Sequence, residues 1–310
     1  MAKIIIKYLI SLFIVVTTTS WALIEFSPKK NDFLKGLQIK HKRAFSIQGK
    51  KIILNGGSNL AFGINSKLIE DSTGFPVSNL GIMAGLGFEY MIEQTKYYSK
   101  PGDIVILIPE FFLYATPESS PTSGIILNSI SALPESKHFI KKKLPHIVLQ
   151  YKIQNALKRT LFQIIDGKKP DGIYSLSSFN EYGDVFKNKD TLLSKNLFDN
   201  YVCPLERDLK LGKDLNKFKE LLKEVKTYFE KNNIDLYFSF PPTPNTNEND
   251  KIDDLLLNLY SEYGIKTLGT PKDFRYDYEM FYNGLNHVNI QGAKIRSLKL
   301  AELIYKKILF

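Results

Sequence analysis

An α/β fold built on a doubly wound, mostly parallel five-stranded sheet is what three features of this 310-residue chain predict. Short, continuously apolar runs read as strands covered on both faces. Amphipathic stretches of helical period alternate with them, the pattern that a parallel sheet requires. The clearest strand also runs straight into a glycine turn.

That first strand is read over residues 51–55, where Lys51-Ile52-Ile53-Leu54-Asn55 leads into Gly56-Gly57-Ser58. Pro76-Val77-Ser78-Asn79-Leu80 gives a second, followed by the spaced glycines Gly81, Gly85 and Gly87. A helix over 88–98 connects it to a third strand at 103–109, and a fourth at 234–240 stops at Pro241-Pro242. Before the fourth strand, Leu215, Phe218, Leu221, Leu222, Val225, Tyr228 and Phe229 recur at i, i+3 and i+4, which marks an amphipathic helix. A helix over 252–260, a fifth strand over 264–268 and a closing helix over 290–309 complete the set. In the closing helix Ile295, Leu298, Ala301, Ile304, Tyr305 and Ile308 are expected to form the packed stripe. Right-handed crossovers favour this topology and bring strand three beside strand one.

Residues 111–212 break the alternation, because one helix would suffice between strands three and four. A structureless loop of that length does not suit a compact domain, so the stretch is read as an insertion capping the site. It holds Lys141-Lys142-Lys143, a helix-compatible run over 147–165 and an aromatic part over 174–186. Tyr174, Phe179, Tyr182 and Phe186 either line a sugar-stacking cleft or form the insertion's own small core.

Residues 1–26 read as a signal peptide or membrane anchor preceding a domain over 27–310. Lys3 and Lys7 precede a run without charge from residue 8 to 24, which as a helix would reach about 25 Å. Ser20-Trp21-Ala22 supplies small residues for cleavage after Ala22. The lysines that follow favour the cytoplasm by the positive-inside count, but long domains cross largely regardless of charge. The expectation is export, facing the periplasm or the cell exterior, with membrane association through the N-terminus.

The formal charge of +10 comes almost wholly from lysine, since arginine occurs only at positions 43, 159, 207, 275 and 296. Base readout leans on arginine forks, so nucleic acid is not expected as a partner. An anionic glycan or a membrane surface suits the charge better. Cys203 is the only cysteine, which rules out an internal disulfide and a cysteine metal cluster. His41, His138, His146 and His287 show no ligand spacing, and neither metal nor cofactor is implied.

In open parallel sheets ligands bind beyond the carboxyl ends of the strands. Ser58, Gly81 and Glu110 sit at three such ends, and His287 lies in the loop before the last helix. A serine hydroxyl becomes a useful nucleophile when a base takes its proton, and His287 is the best placed of the four histidines. Plain alternatives stand beside this: Ser58 or Asn59 as an N-cap, His287 as a brace for the last helix, Glu110 as a buried structural acid.

Asn55-Gly56-Gly57-Ser58-Asn59, Val77-Ser78-Asn79-Leu80-Gly81 and the stretch from Phe281-Tyr282-Asn283-Gly284 to His287-Val288-Asn289 resemble the nucleophile, glycine and histidine blocks of the SGNH (GDSL-like) hydrolase superfamily. The likeness is to its cell-envelope branch, with polysaccharide O-acetylation and D-alanylation proteins, and it covers about residues 50–110 and 234–310. It implies a flavodoxin-like strand order, Ser58 as nucleophile, His287 as base and the N–H groups of Ser58 and Gly81 in an oxyanion hole. Gly57, Asn59, Gly81 and Asn283 are assigned to oxyanion or substrate contacts.

Two positions depart from that pattern. The acid expected three or four residues before the histidine is replaced by Gly284 and Asn283, and the asparagine expected after strand three by Glu110. Glu110 is then protonated, turned away, or the acid that orients His287; Asp277 and Asp273 are the other acids in range. The implied function is a carbohydrate esterase or O-acyltransferase acting on an envelope polysaccharide or other glycan. For transfer, a membrane protein would hand over the acyl group. The alternative is an inactive polysaccharide-binding or assembly protein.

Overall fold

The computed structural model describes residues 2–26, 32–118, 124–141, 172–186, 193–245 and 250–309. Its centre is a parallel sheet of β1 (Ile52–Gly56), β2 (Val77–Asn79), β3 (Ile104–Ile108), β4 (Asp235–Phe238) and β6 (Lys266–Thr267) in the order β2-β1-β3-β4-β6. Counted within the sheet this is the doubly wound order 2-1-3-4-5, whose switch point lies between β1 and β3. The register runs Ile52 opposite Val77 and Ile104, then Ile104 opposite Asp235, and Tyr237 opposite Lys266. Between β4 and β6, β5 (Thr243–Pro244) pairs instead with β7 (Arg275–Tyr276). The antiparallel pair β8 (Phe281–Tyr282) and β9 (Gly284–Val288) follows.

Every residue of β1, β2 and β3 is buried. Successive side chains of a strand point to opposite faces, so both faces of this sheet are covered, as the unbroken apolar runs require. The helices read over 88–98, before the fourth strand, over 252–260 and over 290–309 are present, and the sheet is also flanked by helices that no periodicity had marked. α1 (Ala2–Phe26) is followed by α2 (Gly36–Ser46), α3 (Ser58–Gly63), α4 (Ser66–Thr73) and α5 (Phe88–Tyr98). Helices Asn216–Lys231 and Asp250–Glu262 flank β4, and helix Ile290–Ile304 closes the fold. Asn216–Lys231 buries Phe218, Leu221, Leu222, Val225 and Phe229 of the expected stripe, with Leu215 just before the helix and Tyr228 half-buried.

The closing helix departs from expectation. Ile295, Leu298 and Tyr305 are exposed, and the packed face is Gly292, Ala293, Arg296, Ser297, Leu300, Ala301 and Ile304. Small residues let this helix lie close against α3 and α4, which large side chains at those positions would prevent.

In the long segment after β3, the helix Gly124–Ala132 packs on α2 and the turn Pro134–Phe139 packs on α5. Lys141 pairs with Glu224 at 2.7 Å and Glu93 at 3.3 Å. Lys142, Lys143 and the expected helix over 147–165 lie outside the described residues. Phe179 is buried against Phe33, and Phe186 is exposed, so the aromatic part is divided between core and surface. Within α1, residues Lys3–Ala22 are apolar and long enough to cross a membrane, and none is buried in the protein.

Candidate active site

Ser58 leaves β1 through Gly56 and Gly57 and opens α3. Both glycines are required sterically. A Cβ on Gly56 would collide with the Ile108 carbonyl, and one on Gly57 with the Glu110 carboxyl group. Ser58 is half-buried, and as the first residue of a helix its N–H has no carbonyl four residues back in that helix. Phe62, four residues on, lies on the same face of α3 about 6 Å away.

The Phe62 ring stacks on the His287 imidazole, centroids 4.5 Å apart and planes at 23°. One short helix thus presents Ser58 and supports His287 a single turn later. No hydrogen bond joins the two side chains here; such contacts commonly tighten only when substrate is bound.

His287 lies on β9, and Asn283 forms the tip between β8 and β9. The hairpin folds Asn283 back so that its Oδ1 meets His287 Nδ1 at 2.9 Å. Its NH₂ group donates to the Tyr174 hydroxyl at 3.1 Å. With that amide orientation Nδ1 carries the ring proton and Nε2 is the basic nitrogen, the tautomer a general base needs. Gly284 belongs to the same geometry, because a Cβ there would press on Nδ1 at 3.1 Å.

The candidate acids are elsewhere. Glu110 accepts from the Asn59 N–H at 3.1 Å, and its second oxygen is buried without a hydrogen bond. Burial pushes its pKa up, against the pull of the Asn59 hydrogen bonds and the Arg296 charge. Asp277 is exposed and accepts from Asn245 at 3.3 Å. Asp273 caps its own turn through Thr270 and pairs with Lys299 at 3.3 Å. Among the described residues no carboxylate hydrogen-bonds to His287; the group on Nδ1 is an amide.

Two expected oxyanion contacts are also engaged inside the protein. The Gly81 N–H donates to Asn79 Oδ1 at 3.0 Å, closing a local turn. Asn59 is fully buried: its NH₂ group donates to the Ile108 carbonyl at 2.9 Å, and its Oδ1 and carbonyl accept from Arg296 at 2.8 and 2.7 Å. It braces the turn and does not face a ligand. Asn283 likewise serves His287 directly.

Periodicity hid two contributors, Arg296 and Asp184, and left open the part played by Tyr174. Arg296 is wholly buried, with its pKa lowered to about 10 by burial, and it clamps Asn59 from behind. Asp184 accepts from the Ser66 hydroxyl at 2.7 Å and from the Asn79 amide at 2.8 Å, which ties the long segment to the end of β2. Tyr174 comes from that same segment and packs edge-on against Phe33 and Phe62 at 5.5 Å. No protein-family model matches this chain, and no curated protein matches it at the significance required.

Proposed function

We propose that this chain is an SGNH-type serine esterase or O-acyltransferase of the cell envelope, with Ser58 as nucleophile and His287 as base. The observation that carries the proposal is the stacking of His287 on Phe62, one helical turn beyond Ser58. The parallel sheet supports it, since Ser58 and Glu110 leave β1 and β3 on either side of the switch point. In acyl transfer Ser58 Oγ attacks the acyl carbon and passes its proton to His287 Nε2, while the Ser58 N–H is available to the developing oxyanion. Tyr174, from the long segment after β3, reaches the site by bonding the Asn283 amide. Lysine-derived charge suits an anionic glycan as acceptor, and α1 suits delivery of the chain to the membrane.

The test uses the full-length chain in detergent with a fluorophosphonate probe. Labelling is expected at Ser58 and lost in Ser58→Ala and His287→Ala. A wild-type chain that is not labelled, or is labelled equally in both variants, would sink the enzymatic reading. A second reading is favoured by one observation, the neutral amide on His287 Nδ1: a non-catalytic glycan-binding protein of the same fold. It predicts glycan retention that survives Ser58→Ala.

A further inference from the structure

The closing helix Ile290–Ile304 begins its packed face with small residues around Arg296, while its outermost stripe carries Ile295, Leu298 and Tyr305, 39%, 44% and 48% exposed. Ile290, at the helix start, is 58% exposed. The helix Asn216–Lys231 shows the ordinary arrangement, with its apolar residues inward and Asn216, Glu220, Lys223, Thr227 and Glu230 along its outermost stripe. Single exposed apolar residues are common on soluble proteins, but a row of them at helical spacing marks a contact surface. Lysines border the row. Lys294, four residues before Leu298, has no acidic partner among the described residues. Lys299 pairs with Asp273 at 3.3 Å, Lys306 with Glu302 at 2.5 Å, and Lys307 donates to the Thr267 carbonyl at 3.0 Å. Four lysines thus meet two acids, and the surface is cationic. We infer that this face is a membrane-docking surface for anionic lipid, with Ile295, Leu298 and Tyr305 set into the headgroup boundary and the lysines reaching the phosphates around them.

Lipid suits each part of the row. Isoleucine and leucine leave water at the acyl boundary, and tyrosine settles there because its ring is apolar while its hydroxyl stays wet. Lysine stems lie along the apolar surface while their ammonium groups stay with phosphate. A second copy of the chain suits it less well. A two-fold contact through this face would set the same lysines against one another. The few part-exposed side chains also fall well short of the ~800 Å² per partner that a stable interface covers. Alone the patch is too small to hold a chain on a membrane, since even one myristoyl chain binds only marginally. α1 removes that difficulty, because Lys3–Ala22 is long and apolar enough to span a bilayer. A tether of that kind raises the effective concentration at the surface into the millimolar range, so weak docking by the closing helix is enough to set how the domain lies on the membrane. The docking surface does not depend on Ser58 or His287.

The test places the full-length chain in nanodiscs of phosphatidylcholine, alone or with phosphatidylglycerol added. Leu298→Cys carries an environment-sensitive NBD fluorophore, and Glu220→Cys carries the same fluorophore as the reference. Cys203 is buried and stays unlabelled in the folded chain. The label at position 298 should shift to the blue, and be quenched by lipid-borne spin labels, in the anionic discs only. The label at position 220 should do neither. A lysine close to an anionic surface shifts docking about fivefold, so Lys294→Gln should weaken the signal by about that factor and molar salt should remove it. Ile295→Ser changes an exposed position and leaves the fold intact, and it too should weaken the signal several-fold. Identical spectra in the two lipids, or a signal indifferent to both Lys294→Gln and Ile295→Ser, would overturn the inference. A blue shift that grows with chain concentration in detergent, without lipid, would also overturn it and assign the face to a second copy.

Discussion

Lys40 illustrates how a single side chain couples the long segment to the sheet. It is fully buried on α2, and its amine donates to the carbonyls of Asn79 at 3.0 Å and Gly183 at 2.6 Å. Burial pushes its pKa down to about 7, although Asp184 pulls it back up. A neutral amine has two N–H bonds, and two carbonyls receive them. An unfolded lysine titrates near ~10.4, so between pH ~7 and ~10 the unfolded chain holds the extra proton and stability rises with pH across that window. Thermal melts should therefore show Tm climbing from about pH 7 to about pH 9, and Lys40→Met should flatten that climb while lowering Tm throughout, because two buried carbonyls lose their donor. A wild-type Tm that falls over the same range would contradict a buried, neutral Lys40.

At the scale of elements, the site depends on how closely α3 lies to β1 and β2. A Cβ on Gly81 would sit 2.6 Å from Leu60 Cβ and 2.9 Å from the Gly57 carbonyl oxygen, both on the turn that carries Ser58. Gly81→Ala should cost about 1–3 kcal/mol and displace that turn, so it should weaken fluorophosphonate labelling as well as Tm. Denaturant unfolding and labelling together check this. A labelling rate unchanged beside a lowered Tm would separate Gly81 from the site. The strands around this contact were legible because Ile52-Ile53-Leu54 and the run from Ile104 to Ile108 are apolar without interruption, a pattern few other structures produce. The closing helix was read only in part: Ala301 and Ile304 are buried as expected, but Ile295, Leu298 and Tyr305 lie on the outer side, and the first half of the packed face is made of Gly292, Ala293 and Ser297 around one arginine. Hydrophobic periodicity has no way to mark Arg296, whose burial depends on Asn59 far away in the chain. The small residues flanking it were the available signal. The place of Ser58 at the end of β1 was legible from the strand and its glycines, but His287, expected in a loop, lies on β9, and its contact with Asn283 needed the β8–β9 hairpin, which two-residue strands do not announce.

The whole molecule joins a buried α/β core to one apolar helix that the described residues leave unburied. Residues Lys3–Ala22 expose Leu9, Ile10, Leu12, Phe13, Ile14, Val15 and Val16, each more than half accessible. Twenty helical residues reach about 30 Å, the thickness of a bilayer's hydrocarbon core. Exposing seven large apolar side chains to water at about 1.5–3 kcal/mol apiece would far outweigh any gain from leaving the helix in solution, so a membrane or its removal is the stable outcome. Thr17 and Thr18 do not forbid this, since their hydroxyls bond back to the carbonyls of Phe13 and Ile14 within the helix. After residue 31 the chain enters the core at once: Phe33 is buried and stacks on Phe62 at 5.8 Å, the ring that also carries His287. Phe33, which packs on the ring that carries His287, is thus only seven residues along the chain from the end of α1. A C-terminal alkaline phosphatase fusion should be active outside the cytoplasm, and deleting residues 2–26 should silence it without abolishing Ser58 labelling of the purified chain. An inactive full-length fusion would place the domain in the cytoplasm and remove the envelope from the proposed function.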